Sequence, residues 1–408
     1  MKRLLQITLG ILSAIGGFVD IGDLVFNAQA GAKFGYSLIW VVFVGVLGII
    51  IYSEMCGRIA AVSGRPVFDL VRERAGFSAG LATLVAALVV SLMTCAAEVG
   101  GVAIVLQLLT DWPYRVLIVV AVAAFVIISW SVPFGWIEKV FGYGGLTLLV
   151  FLVAAIDLGP DWGAALHGVV PTVQGPSYAV YLYFVVGLLG AAMTPYEVYF
   201  YSSGAVEDHW SVKDLSTNRI TATLGYALGG TLSVALMAVA AEVFLPRGID
   251  VTFLGTVPLP TATAFGQYAL LLALIGILFA VGGATIETSF SVAYNLAQFF
   301  GWEWGKNRRR RDAPRFTLAW LAMLLLALAI AETGVDPVLV TEYSVIFSVV
   351  ALPLTYLPIL LIANDEDYMG EHRNGRFANA LGWTYFGIII VIAVSAIPLM
   401  LITNGGTG

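Results

Sequence analysis

The chain has 408 residues, 60% of them hydrophobic and only 11% charged, with a formal net charge of −6. Its mean hydropathy is +0.92, which no water-soluble fold requires, so the composition specifies an all-α polytopic membrane protein. A transmembrane β-barrel is excluded, because the apolar runs exceed about twenty residues instead of alternating over about ten.

The first apolar run extends from about Leu4 to Phe26, long enough to cross a bilayer. Near its middle stands Gly16-Gly17-Phe18-Val19-Asp20-Ile21-Gly22-Asp23. Each Asp at a bilayer centre costs about 2.5–3.5 kcal/mol on the insertion scale, and a chain carries that cost only if something compensates it. Glycine lets the backbone unwind and frees carbonyls, and unwound backbone at membrane depth is tolerated only against protein, water or ions. The stretch therefore predicts a broken helix that offers carboxylates and carbonyls to a cation. Lys2-Arg3 and Ala28-Gln29-Ala30 imitate a secretory signal, but a signal core would not carry Asp20 and Asp23.

Eleven spans are expected, at about 5–28, 36–57, 79–109, 114–133, 138–157, 178–203, 219–245, 266–299, 316–333, 338–362 and 378–403. The sixth is interrupted by Ala191-Ala192-Met193-Thr194-Pro195-Tyr196-Glu197. Pro195 removes an N–H and clashes with the preceding turn, so the helix must kink or break there. Breaks in the first and sixth spans are the pattern of a five-plus-five inverted repeat, with substrate bound at midplane where the breaks meet. Repeat one is expected at about 1–160, repeat two at about 175–365 and an extra eleventh helix at about 378–403, all in one transporter domain.

Basic residues set the expected orientation. With the N-terminus inside, 17 of the 20 Lys and Arg fall in inside segments, leaving Lys33, Arg115 and Arg247 outside, and the C-terminus ends outside. The run Arg308-Arg309-Arg310-Arg311 reads as a topology determinant, with a lipid or nucleic-acid patch as the other reading. Cys56 and Cys95 lie in apolar surroundings and His167, His209 and His372 in predicted loops, so neither a disulfide framework nor a Cys or His metal cluster is expected. No Walker-type phosphate loop is present.

Four stretches together resemble the NRAMP divalent-metal transporters, and more closely their magnesium-transporting branch. Asp20-Ile21-Gly22-Asp23 falls where the family has Asp-Pro-Gly-Asn. Ala191-Ala192-Met193-Thr194-Pro195-Tyr196 falls where typical members have Ala-x-x-Met-Pro-His. Ala96-Ala97-Glu98-Val99-Gly100-Gly101 and Leu352-Pro353-Leu354-Thr355-Tyr356-Leu357-Pro358 are similar to family segments in the third and tenth helices. The resemblance implies a LeuT-type fold with the cation held between the first and sixth helices. It implies Asp20 as primary ligand, Asp23 in place of the ligand Asn, the Ala191 carbonyl retained, and Thr194 in place of a Met sulfur. A thioether favours Mn²⁺ and Fe²⁺ over hard ions. Replacing it with Thr194, and adding Asp23 and Glu197, leaves an all-oxygen site suited to partly hydrated Mg²⁺, and to Mn²⁺ as well. The family's third-helix proton-route Asp is here Cys95, with Glu98 kept, and its sixth-helix His is Tyr196. The resemblance thus implies weak or absent proton coupling.

Glu287 in the eighth span and Glu342 early in the tenth are further pathway candidates, while Glu54 stands one helical turn before Arg58 as a structural pair. The expected function is transport of divalent cations, Mg²⁺ and Mn²⁺ foremost, with no cofactor and no nucleic-acid partner. A proton-coupled Mn²⁺/Fe²⁺ importer and a Na⁺-coupled solute symporter of the same fold are the alternatives. No Ser/His or metal-hydrolase constellation suggests an enzyme.

Overall fold

A computed structural model describes residues 19–173 and 177–407. The residues before Val19, among them Lys2, Arg3, Gly16 and Gly17, lie outside the described residues. Those residues form helices α1 (Ile21–Phe34), α2 (Ile39–Ser63), α3 (Val67–Thr110), α4 (Tyr114–Ser131), α5 (Phe134–Gly145), α6 (Leu149–Asp157), α7 (Trp162–His167) and α8 (Tyr178–Ala192). After these come α9 (Pro195–Glu207), α10 (Leu215–Val243), α11 (Leu259–Phe265), α12 (Gln267–Phe300), α13 (Pro314–Ala331), α14 (Pro337–Ala363), α15 (Glu366–Met369) and α16 (Arg376–Ile402). The described residues contain no strand. Ten stretches of them are long and apolar enough to cross a membrane, from Ile39–Ser63 to Arg376–Ile402, matching the second to eleventh expected spans. The protein is an integral membrane protein.

The third span begins earlier than its apolar run implies. Val67 to Ala75 form a helical segment carrying Arg72, Glu73 and Arg74, joined to the membrane helix at Gly76, where φ is 80° and ψ 170°. Nothing lies within 4 Å of the position a Gly76 Cβ would take, so the backbone angle alone calls for glycine. Helix α3 packs along α14 and α12, while α1 lies among α10, α8 and α14. The Tyr178–Glu207 stretch has 83% of its most apolar window buried in the protein, against 22% for Arg376–Ile402. The interrupted sixth span is therefore central and the extra helix peripheral. Glu54 does pair with Arg58, 3.2 Å away.

Close approach of α1 to its neighbours depends on Gly31. A Cβ there would stand 2.2 Å from the Met237 carbonyl oxygen on α10. Beside the break, a Cβ on Gly22 would meet Val345 Cγ2 at 3.0 Å and Asp20 Oδ1 at 3.1 Å.

Candidate metal site

Helix α1 starts in the middle of an apolar run because Asp20 caps it. Asp20 has φ −90° and ψ −175°, and its Oδ1 accepts from the Asp23 backbone N–H at 2.9 Å. A carboxylate satisfies one of the free N–H groups of the first turn and interacts favourably with that end of the helix dipole. The Tyr196 hydroxyl approaches Asp20 Oδ2 at 3.4 Å.

Across from it, α8 stops at Ala192 and α9 starts at Pro195. Met193 (φ −128°, ψ 50°) and Thr194 (φ −69°, ψ 136°) are non-helical, as the proline requires. Ala191 lies in the last turn of α8, where carbonyls have lost their intrahelical donors. The Met193 carbonyl accepts from Tyr356 at 3.2 Å. Thr194 is buried and caps no α9 N–H.

The two breaks border a small chamber of about 10 Å³, lined by Asp20, Gly22 and Thr194 together with Thr94 of α3 and Thr341, Ser344 and Ser348 of α14. That is room for about one water-sized particle. The Thr94 and Ser344 hydroxyls are 2.6 Å apart. These four hydroxyl residues were not expected at the site. Thr341, Ser344 and Ser348 recur at i, i+3 and i+7, so one apolar helix presents a polar stripe on a single face, and that spacing is readable in the sequence.

Asp23 is placed differently from Asp20. Its carboxylate accepts from Ser233 Oγ of α10, at 2.9 and 2.7 Å from its two oxygens, and from Asn27 Nδ2 at 2.8 Å. It is not among the residues lining the chamber. Glu197 occupies the first turn of α9 and is 5% exposed. Glu98 is fully buried on α3, with Oε1 3.4 Å from Thr288 Oγ1 of α12 and Oε2 without a partner. Glu287, the residue before Thr288, is also buried. Glu342 adjoins chamber residue Thr341 and accepts from Gln29 Nε2 at 2.8 Å.

Asp20, Asp23, Glu98, Glu197 and Glu287 are thus five buried acidic residues. Arg58, the one Lys or Arg buried as a whole residue among the described residues, is held by Glu54, and the enclosed Lys306 side chain is held by Glu138. No three His, Cys, Asp or Glu side chains among the described residues form a ready chelate. An ion here would be held by one or two carboxylates, carbonyls, hydroxyls and its own water.

A helix that begins at Asp20 within an apolar run and a sixth span interrupted at Met193-Thr194 bring a carboxylate and hydroxyls together, the arrangement of transporters in which ions cross at helix breaks. The chain belongs to the Nramp family (natural resistance-associated macrophage protein-like), whose model matches residues 10–398. It is 26% identical over 412 residues to the divalent metal cation transporter MntH of Deinococcus radiodurans, covering 96% of this chain and 89% of that one. Its identity to the Aeromonas hydrophila MntH is 27% over 388 residues, covering 92% and 91%. Among solved structures it resembles a manganese transporter of Eremococcus coleocola, crystallised in a mutant form. That match has a TM-score of 0.80 and 18% identity over 100% of this chain and 88% of that one. It also matches Mhp1, a nucleobase-cation-symport-1 family transporter, with a TM-score of 0.57 and 14% identity over 96% and 91% of the two chains. The fold is the LeuT-like one.

Proposed function

We propose that the protein transports divalent metal cations, Mg²⁺ and Mn²⁺ foremost, holding a partly hydrated ion between the two helix breaks. Asp20 is the principal ligand in this reading, with the Ala191 carbonyl and Thr194 beside it. Asp23 and Glu197 supply negative charge around the ion rather than a closed chelate. Glu98, Glu287, Tyr196 and Glu342 border its path. The five-plus-five repeat, with its bounds near residues 160, 175 and 365, belongs to the same reading.

The observation that carries it is charge. Asp20, Asp23, Glu98 and Glu197 are buried carboxylates with no Lys or Arg ion pair among the described residues, and such groups need protons or cations to offset their desolvation. A divalent ion in an all-oxygen setting fits that need. The curated relatives carry divalent-metal names and the first solved neighbour a manganese one, which favours Mn²⁺. Thr194, in place of a soft sulfur, is what admits Mg²⁺. With the N-terminus inside a cytoplasmic membrane, a negative interior drives uptake by about 4.6 kcal/mol per 100 mV for a divalent ion, so proton coupling is unnecessary.

The deciding experiment is uptake into proteoliposomes with an imposed potential, comparing Mg²⁺, Mn²⁺ and Ca²⁺ in wild type and Asp20→Asn. Uptake of both Mg²⁺ and Mn²⁺, lost in the variant, is expected. Mn²⁺ uptake without Mg²⁺ would make the protein a transition-metal transporter. Wild-type rates in Asp20→Asn would remove Asp20 from the site.

A further inference from the structure

The run Arg308-Arg309-Arg310-Arg311 follows α12, remote in sequence from both helix breaks, and has no part in the metal reading. It borders a cavity of about 290 Å³ between this loop and the turn joining α4 to α5. The lining contains Lys306, Arg308 and Arg310 and no Asp or Glu. A second cavity on the same loop shares Arg308 but is lined by Asp69, Glu207 and Glu303, so the acidic groups gather in one cavity and are absent from the other.

Two of the three basic groups are already matched. Lys306 Nζ is 3.2 Å from Glu138, and Arg308 pairs with Glu303. Arg310 has no carboxylate partner among the described ion pairs. Its guanidinium lies 4.7 Å over the Trp130 ring and donates to the Ser129 carbonyl at 3.4 Å. One long hydrogen bond leaves most of its five N–H donors unused. Ser129, also in the lining, is 8% exposed, and its hydroxyl has no partner.

We propose that this cavity binds the phosphate group of an anionic phospholipid. The guanidinium fork matches phosphate oxygens in pairs, and the indole fixes its plane without neutralising it. Basic pockets between membrane helices at the headgroup level hold anionic lipids in this way. A free phosphate ion shares the chemistry of the headgroup. The cavity wall favours the lipid: Trp130 is 45% exposed on α4 and packs at 6.4 Å against Trp320 of α13, as aromatic residues do at a bilayer interface. A bound headgroup ties the α4–α5 turn to the loop after α12.

The test uses the delipidated full-length protein and native mass spectrometry, with phosphatidylglycerol and phosphatidylcholine of identical chains at equal concentration. Wild type is expected to retain phosphatidylglycerol preferentially. Arg310→Gln is expected to weaken that retention about fivefold, the worth of one basic residue near an anionic surface, while Arg309→Gln, outside the lining, leaves it unchanged. Arg310→Lys keeps the charge but loses the fork and stacking, and is expected to fall between. Thermal unfolding of each variant without lipid checks that the fold is kept. Equal retention of the two lipids, or undiminished phosphatidylglycerol binding in Arg310→Gln, overturns the proposal. Inorganic phosphate that raises the unfolding temperature as much as phosphatidylglycerol does, and displaces it, assigns the cavity to a free anion and overturns the lipid assignment.

Discussion

Asp20 does two jobs that one substitution can separate. It caps α1 through the 2.9 Å bond from the Asp23 N–H, and it lines the chamber between the breaks. Asparagine caps a helix about as well as aspartate, whereas alanine costs about 1 kcal/mol. Asp20→Asn should therefore spare the helix and remove only the charge. At an effective dielectric of about 20, a carboxylate about 4 Å from a divalent ion attracts it by roughly 8 kcal/mol. Desolvation returns most of that. If a quarter survives, about 2 kcal/mol, affinity falls about thirtyfold. Thermal unfolding reads this directly. With Mg²⁺ or Mn²⁺ at about 100 times the wild-type Kd, wild type gains about 2.7 kcal/mol, and a thirtyfold weaker variant about 0.9 kcal/mol. Calorimetric titration gives the same ratio independently. Two results refute the reasoning: Asp20→Asn binding the ion within about threefold of wild type, under about 0.7 kcal/mol, or Asp20→Asn and Asp20→Ala losing equal stability without metal.

The remaining predictions concern selectivity, coupling and packing. Thr194→Met puts a soft sulfur at the break and should lower Mg²⁺ uptake relative to Mn²⁺ by about tenfold or more, a difference of about 1.4 kcal/mol, read by competing the two ions in proteoliposomes. Uptake driven by membrane potential should run at the same rate with and without an inward proton gradient, because Cys95 and Tyr196 hold the positions where the family resemblance places proton-exchanging groups; ion-dependent acidification of the vesicle interior would contradict it. Ser233→Ala should destabilise the protein by about 1–3 kcal/mol by depriving the buried Asp23 carboxylate of a donor, with the Mg²⁺ to Mn²⁺ uptake ratio unchanged. Gly31→Ala should cost about 1–3 kcal/mol or prevent folding, since its Cβ would stand 2.2 Å from the Met237 carbonyl oxygen.

What could be read from the sequence was what violates local rules. Asp20 within an apolar run and Pro195 within another are each costly, so each marks a place where the surroundings had to change, and helix boundaries lie at both. The spans were legible because bilayer thickness sets their length. Gly76 was not, because its kink joins a charged segment to an apolar one without an apolar interruption to announce it. The direction of the Asp23 carboxylate was not legible either. Its partner, Ser233, is 210 residues away, and spacing within α1 says nothing about which neighbour fills that side. The hydroxyl stripe Thr341, Ser344 and Ser348 lies between these cases: its periodicity is local, but only the fold shows that the stripe faces Asp20 rather than another helix.

The contacts around Lys33 and around Lys306 differ in strength. Around Lys33 stand the Lys33–Asp250 pair at 3.5 Å, with side chains 24% and 64% exposed, and Gln29, which donates to Glu342 and to the Val251 carbonyl. Exposed pairs of that kind are worth about 0–1 kcal/mol. Around Lys306, the pair with Glu138 has side chains only 5% and 15% exposed, and Lys306 Nζ also lies 4.8 Å over the Phe134 ring. The Lys306 backbone N–H donates to Glu207 at 2.7 Å, joining the loop to the end of α9. Gly305 holds φ 148° there, and a Cβ would stand 2.6 Å from Glu207 Oε1, so the loop reaches α9 only with glycine at that position. Breaking one partner of a buried pair leaves an uncompensated charge and costs several times more than parting an exposed one. The contacts around Lys33 therefore part at smaller cost than the Lys306–Glu138 pair.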